Sequence, residues 1–145
     1  MADFEAQDTN FEARVRESFA RQRVMETIGA RLLRVAPGEV EIALSYREDL
    51  TQQHVYLHAG IVAAVIDSAC GYAAMTLTQA GADVLSIEFK LNLLSPARGE
   101  SFVARARVKR AGRNVTVCAG DLYAGQGGTE KAVATMLATM MTVTR

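Results

Sequence analysis

The stretch from His58 to Gln79 limits most sharply how this chain can fold. No proline interrupts it, alanines abound, and Gly81 follows as a stop signal. It predicts one helix of about twenty residues, roughly 30 Å long at 1.5 Å per residue. Inside it, the segment His58-Ala59-Gly60-Ile61-Val62-Ala63-Ala64-Val65-Ile66-Asp67 sets one carboxylate among apolar and small residues. A buried, unpaired carboxylate is costly, and tends to shift its pKa or to find a purpose. Asp67 is therefore the first residue to question.

A chain of 145 residues fits a single domain, here 1–145, with residues 1–9 expected as a flexible N-terminus. Lys plus Arg and Asp plus Glu number 16 each, so no global charge points to nucleic acid or an acidic membrane surface. Cys70 and Cys118 lie in separate apolar stretches without ligand spacing, and read as buried thiols suited to a reducing cytoplasm. No metal site is expected. The acidic start, Met1-Ala2-Asp3-Phe4-Glu5, does not open a signal peptide. The run Ile61–Leu77 is broken by Asp67, Ser68, Gly71 and Thr76, so no membrane span is expected.

Around this helix the chain alternates turns and strands. Residues from about Asn10 to Ile28 have helical spacing, with Asn10 as N-cap and Gly29 as stop. Ala30–Val35 and Glu39–Tyr46 read as strands about a Pro37-Gly38 turn. Beyond Gly81 the period becomes two. Leu85, Ile87, Phe89, Leu91 and Leu93 alternate with polar residues and predict a strand with one buried face. Three further strands follow, near Phe102–Lys109, Val115–Tyr123 and Lys131–Val143, joined by short turns that favour antiparallel pairing. The class is α+β, a long central helix against an antiparallel sheet, with an extra N-terminal helix.

The central helix carries a stripe of small residues: Gly60, Ala63, Ala64, Asp67, Gly71 and Ala74. Its bulky sides should pack on the sheet. Such a stripe admits a second backbone or a slender ligand. Two readings of Asp67 stay open: a helix–helix contact with the carboxylate paired to an Arg or a backbone donor, or a functional acid. At the helix start, His58 and Ala59 present free N–H groups, a weak oxyanion site aided by the helix dipole. His58 reads equally well as a polar residue satisfied by the preceding loop.

The pattern Gln52-x5-His58-Ala59-Gly60-x6-Asp67-x3-Gly71 resembles the signature of hotdog-fold acyl-CoA thioesterases of the phenylacetate-pathway, 4-hydroxybenzoyl-CoA thioesterase-like branch. Leu85-Ser86-Ile87-Glu88-Phe89 and the exit Ser95-Pro96-Ala97-x-Gly99 are similar to that family's strand after the helix. Thr27-Ile28-Gly29-Ala30-Arg31-Leu32 is similar to the start of its first strand. The likeness runs from about Met25 to Val143. It implies a curved antiparallel sheet wrapped around the helix. It implies that Asp67 is the catalytic carboxylate, as nucleophile or as base on water. It further implies that the Ala59 N–H polarises the thioester carbonyl and that Gln52 orients thioester or water. Ser86 then contacts the water, and His58 is a positioning residue. Gly60 and Gly71 match the motif glycines beside substrate. Ala59 departs from the family's usual His-Gly-Gly, but its N–H survives.

Spacing adds a constraint. Ala59 and Asp67 are eight residues apart, about 12 Å along one helix. A nucleophile and an oxyanion donor must both lie about 3 Å from one reacting group. They meet only if a second subunit's helix runs antiparallel past the first. A homodimer is therefore expected, and the family's habit implies a dimer of dimers. The implied substrate is an acyl-CoA, with no cofactor. Its phosphates are matched to the basic segment Arg98–Arg113, with Arg110 and Arg113 first because they flank the Gly112 turn; a solvated strand face accounts for these charges as well. A non-catalytic acyl-CoA-binding module is the alternative, distinguished by having no need of Asp67. A hotdog dehydratase would need a histidine at another spacing, and the one other histidine, His54, lies in the loop before His58.

Overall fold

The computed structural model describes residues 3–144. In chain order it has α1 (Phe11–Arg21), α2 (Arg23–Ile28), β1 (Arg31–Ala36), β2 (Glu39–Ser45), a 3₁₀ turn (Glu48–Leu50), α3 (Ala59–Met75), β3 (Ala82–Leu93), β4 (Ser101–Ala111), β5 (Val115–Gln126) and β6 (Thr129–Thr144). The strands form one antiparallel sheet in the order β1-β2-β4-β5-β6-β3. α3 packs against β2 through β6, and Val62, Val65, Ile66, Ala69 and Cys70 are buried there. The helix seats closely because β5 offers no side chain at Gly120, where a Cβ would stand 2.6 Å from Ile66 Cγ2. This is the expected α+β arrangement.

Four expectations change. The N-terminal helix is not continuous from Asn10 to Ile28. Gln22 leaves helical geometry (φ −80°, ψ 96°) and divides it into α1 and α2. The reason is tertiary: the Gln22 side chain is bonded to α3.

α3 stops at Met75, short of Gln79. The Thr76 and Thr78 hydroxyls donate to the carbonyls of Ala73 and Met75 and tighten the last turn. Beyond it, Arg14 reaches over from α1 and donates to the carbonyls of Thr78, Gln79 and Ala82 at 3.1–3.2 Å. Asp8 approaches Arg14 Nε at 2.7 Å as an ion contact rather than an aligned hydrogen bond. Gln7 donates to Leu77 O, and Phe4 covers Gly38. Residues 3–9, expected as a flexible tail, are thus tied to the body of the protein.

β3 does not present a single buried apolar face. A bulge between Ser86 and Glu88 shifts its register against β6. Ser86 pairs with Met140, and Phe89, Leu91 and Leu93 pair with Ala138, Met136 and Ala134, so these share the face toward α3. Leu85 pairs with Met141 on the outer face. β3 is an edge strand, and Leu85, Ile87, Phe89 and Leu93 are all exposed in the protomer.

Candidate active site

Asp67 stands mid-way along α3, half-buried, with Ser86 facing it from β3. The Ser86 hydroxyl donates to Asp67 Oδ1 at 2.7 Å. The structure therefore decides between the partners open in the sequence: a neutral hydroxyl, neither an Arg nor a backbone donor. Among the described residues Asp67 forms no ion pair, and Ser86 engages its Oδ1 rather than its Oδ2. Asp67, Ser86 and Gly71 line one cleft of about 290 Å³. A Cβ at Gly71 would meet no atom within 4 Å, so the glycine opens onto that space.

The start of α3 builds a different place. His58 is the N-cap, and its Nδ1 accepts from the Gly60 N–H at 2.8 Å. That bond occupies Nδ1 and fixes the imidazole over the first turn of α3. Gly60 serves the cap directly, since a Cβ there would stand 3.0 Å from His58 Nδ1. The Ala59 N–H, first of the helix, has no intrahelical acceptor. Gln52 holds the loop before the helix, its Oε1 accepting from the backbone N–H groups of His54 and Tyr56. This loop is strained at Val55, a β-branched residue at φ +62°. Gln52 and Ala59 line an apolar cavity of about 480 Å³ with Leu57, Val62, Leu93 and Pro96.

Of the expected site residues, the protomer brings together Asp67, Ser86 and Gly71 in one group, and Gln52, His58, Ala59 and Gly60 in another. It does not join the two. Arg110 and Arg113 lie with neither group. They belong to the β4–β5 hairpin, and Arg113 lines a third cavity with Ala74 and Leu77 at the far end of α3. Arg105 and Arg107 of the basic segment are ion-paired on the sheet, with Glu41 and Glu130 and with Asp121.

Sequence reasoning missed Gln22 and Ser18, which with Tyr72 also line the Asp67 cleft. No signal marked them, because Gln22 sits in an unbroken helical pattern. Both cysteines are free and buried, as expected. Burial raises both thiol pKa values, that of Cys118 to about 12. Among the described residues no cluster of three His, Cys, Asp or Glu side chains is placed to hold a metal ion, and no helix is long and apolar enough to cross a membrane.

A long helix embraced by a six-stranded antiparallel sheet, with a carboxylate at its middle and free donors at its start, defines a hotdog protein. Residues 54–131, more than half of the chain, match the family model of the thioesterase superfamily. The chain belongs to that superfamily. It is 52% identical to a thioesterase family protein from Silicibacter pomeroyi, with a TM-score of 0.92 over 93% of this chain and 99% of that one. It is 27% identical to a phenylacetic acid degradation-related protein from Ralstonia eutropha, with a TM-score of 0.78 over 92% of this chain and 99% of that one. Human acyl-coenzyme A thioesterase 13 is 30% identical over 92 residues, 63% of this chain and 65% of that protein.

Proposed function

We propose that this protein is an acyl-CoA thioesterase whose active site forms between two subunits. The observation that carries the reading is Asp67: a half-buried carboxylate without an ion pair, held by one hydroxyl beside an open cleft. Packing alone gives no reason for that charge.

The two groups of site residues complement each other. A two-fold axis that sets two α3 helices antiparallel brings the Asp67 group of one subunit to the Ala59 group of its partner. The exposed apolar edge of β3 supports such a pairing, since a large apolar edge left in water favours association. In that arrangement the thioester oxygen accepts the Ala59 N–H at the helix start. Gln52 orients the thioester, and His58 and Gly60 hold the donor in place. Asp67 attacks the acyl carbon or takes a proton from a water that attacks it. The carbon–sulfur bond breaks, hydroxide from water ends on the acyl carbon, and the remaining proton goes with the coenzyme A thiolate. Antiparallel helices also bring the Arg113 end of α3 toward the partner's cavity mouth, which makes Arg110 and Arg113 candidates for the phosphates. The two free, buried thiols suit a reducing cytoplasm, and the shared site suits a homodimer or a pair of such dimers.

The test is release of coenzyme A thiol from an acyl-CoA by purified protein. Asp67→Asn should lower turnover by about a hundredfold or more, with the fold intact by circular dichroism. The protein's own thiols should stay silent toward the thiol reagent, being buried and protonated. Undiminished turnover by Asp67→Asn sinks the assignment. A wild type that binds acyl-CoA without releasing thiol favours the binding-module alternative.

A further inference from the structure

The inner face of the sheet changes character where α3 ends. On β6 that face carries Met136, Ala138 and Met140, all buried. The same alternation continues through Thr142 and Thr144, beyond the last turn of α3. Thr116 of β5 pairs in register with Met140 and shares the face. These three threonines and the end of α3 border a cavity of about 430 Å³, well within the range of about 300–1,000 Å³ common to small-molecule sites. Thr116 is only 4% exposed, and no described residue bonds to its hydroxyl. A buried hydroxyl left unpaired is costly, and this one lines the cavity.

Arg113 and Asn114 line the same space from the tip of the β4–β5 hairpin. The tip is a tight turn, in which the Gly112 N–H donates to Val115 O at 2.8 Å and a Cβ on Gly112 would stand 2.5 Å from that oxygen. Asn114 O accepts from the Thr142 N–H at 2.8 Å, which ties the tip to β6. The backbone of Arg113 and Asn114 is thus fixed against the threonines. Among the described residues the Arg113 guanidinium has neither an ion pair nor a hydrogen bond.

The charges favour an anion. None of the described residues that line the cavity is acidic. The negative end of the α3 dipole lies here, but Arg14 donates to the carbonyls of Thr78 and Gln79, and Gln7 to that of Leu77. Asp8 offsets the charge of Arg14, which leaves Arg113 as the cation facing the space. A guanidinium fork beside a threonine hydroxyl matches the terminal oxygens of a phosphate monoester. A sugar next to that phosphate would meet the Thr142 and Thr144 hydroxyls and the Asn114 amide, each able to donate and to accept. An apolar ligand would leave Thr116 and Arg113 unpaired.

We propose that this cavity binds the phosphorylated ribose of a nucleotide, with Arg113 and Thr116 on the phosphate. Two sources carry that group: the coenzyme A of a substrate held in the partner's half-site, and a free nucleotide. The first source rests on the two-subunit thioesterase reading, whereas the phosphate chemistry of the cavity does not.

The probe is adenosine 3′,5′-bisphosphate, titrated by calorimetry into the full chain. Wild type should bind it about a hundredfold more tightly than adenosine, which has no phosphate. Thr116→Val, nearly isosteric, should weaken binding about tenfold. Arg113→Gln should weaken it about thirtyfold and flatten its salt dependence. Arg113 is exposed, so its variant keeps the test open if Thr116→Val does not fold. An acyl-CoA thioether, which cannot be hydrolysed, separates the two sources. Displacement of the bisphosphate by saturating thioether assigns the cavity to the coenzyme's own end, and binding of both together assigns it to a free nucleotide. No binding by wild type, or binding unchanged in both variants, overturns the inference and leaves thiol release from acyl-CoA to judge the thioesterase reading by itself. Bisphosphate binding that both variants weaken, in a protein that releases no thiol from acyl-CoA, overturns the catalytic reading and leaves the cavity's role standing.

Discussion

Gly71 shows how a single residue can be read through its cost. A glycine inside a helix costs about 0.5–1 kcal/mol relative to alanine. Its backbone does not require glycine, since φ is not positive, and no neighbour fills the place of its Cβ. The protomer's packing thus gives no reason for it, whereas a substrate or a partner helix in the Asp67 cleft does. Gly71→Ala should stabilise the protomer by about 0.5 kcal/mol and slow turnover of bulky acyl groups more than of acetyl. Thermal unfolding and a two-substrate comparison check both halves, and an alanine variant with wild-type kinetics on both substrates removes Gly71 from the pocket. Asp67, Ala59 and Gly71 were legible in the sequence because each breaks a local rule: a charge in an apolar helix, a donor without acceptor, a glycine in mid-helix. Gln22 breaks no such rule. Its role comes from Ser68 and Tyr72, which lie far along the chain and meet it only in the fold.

At the scale of elements, the limits of periodicity are plain in β3. Alternation places Leu85 through Leu93 on one face, yet the bulge at Ile87 puts Leu85 and Phe89 on opposite faces. A pattern of period two has no way to register one extra residue. The bulge matters for the site, because Ser86 lies just before it and faces α3 and Asp67. The end of α3 gives a second case. Gly81 signals a stop, but the helix closes earlier because threonine hydroxyls take the carbonyls of Ala73 and Met75, and Arg14 holds the carbonyls of the segment beyond it. Arg14 binds three carbonyls, the Thr78 hydroxyl and Asp8, and is largely buried. Arg14→Ala should therefore cost about 2–3 kcal/mol, with Arg14→Lys recovering a small part since a lysine lacks the forked donor. Chemical denaturation gives the difference, and hydrogen exchange at Thr76–Ala82 should rise in the alanine variant. Loss of less than about 0.5 kcal/mol would mean that Arg14 is an ordinary surface group.

At the scale of the whole molecule, the strand order and the wrapped helix follow from a sequence that alternates cleanly between turns, strands and one apolar helix. The proposed functional unit does not follow from one chain, because the residues proposed to act on one thioester lie in separate cavities of the protomer. That separation makes a sharp prediction about subunit mixing. Asp67→Asn damages one half-site and Gln52→Ala the other, so each homodimer is impaired at both of its sites. Refolding the two variants together in equal amounts yields heterodimers as half of the population. In each heterodimer one site combines the intact Asp67 of one chain with the intact Gln52 of the other, and the second site carries both defects. Activity should return to about one quarter of wild type, far above either variant alone. If catalysis were confined to single chains, every chain in the mixture would keep its own defect and mixing would restore nothing. Recovery toward a quarter therefore separates a site shared across the two-fold axis from a pair of independent sites, whatever acyl group is used to measure it.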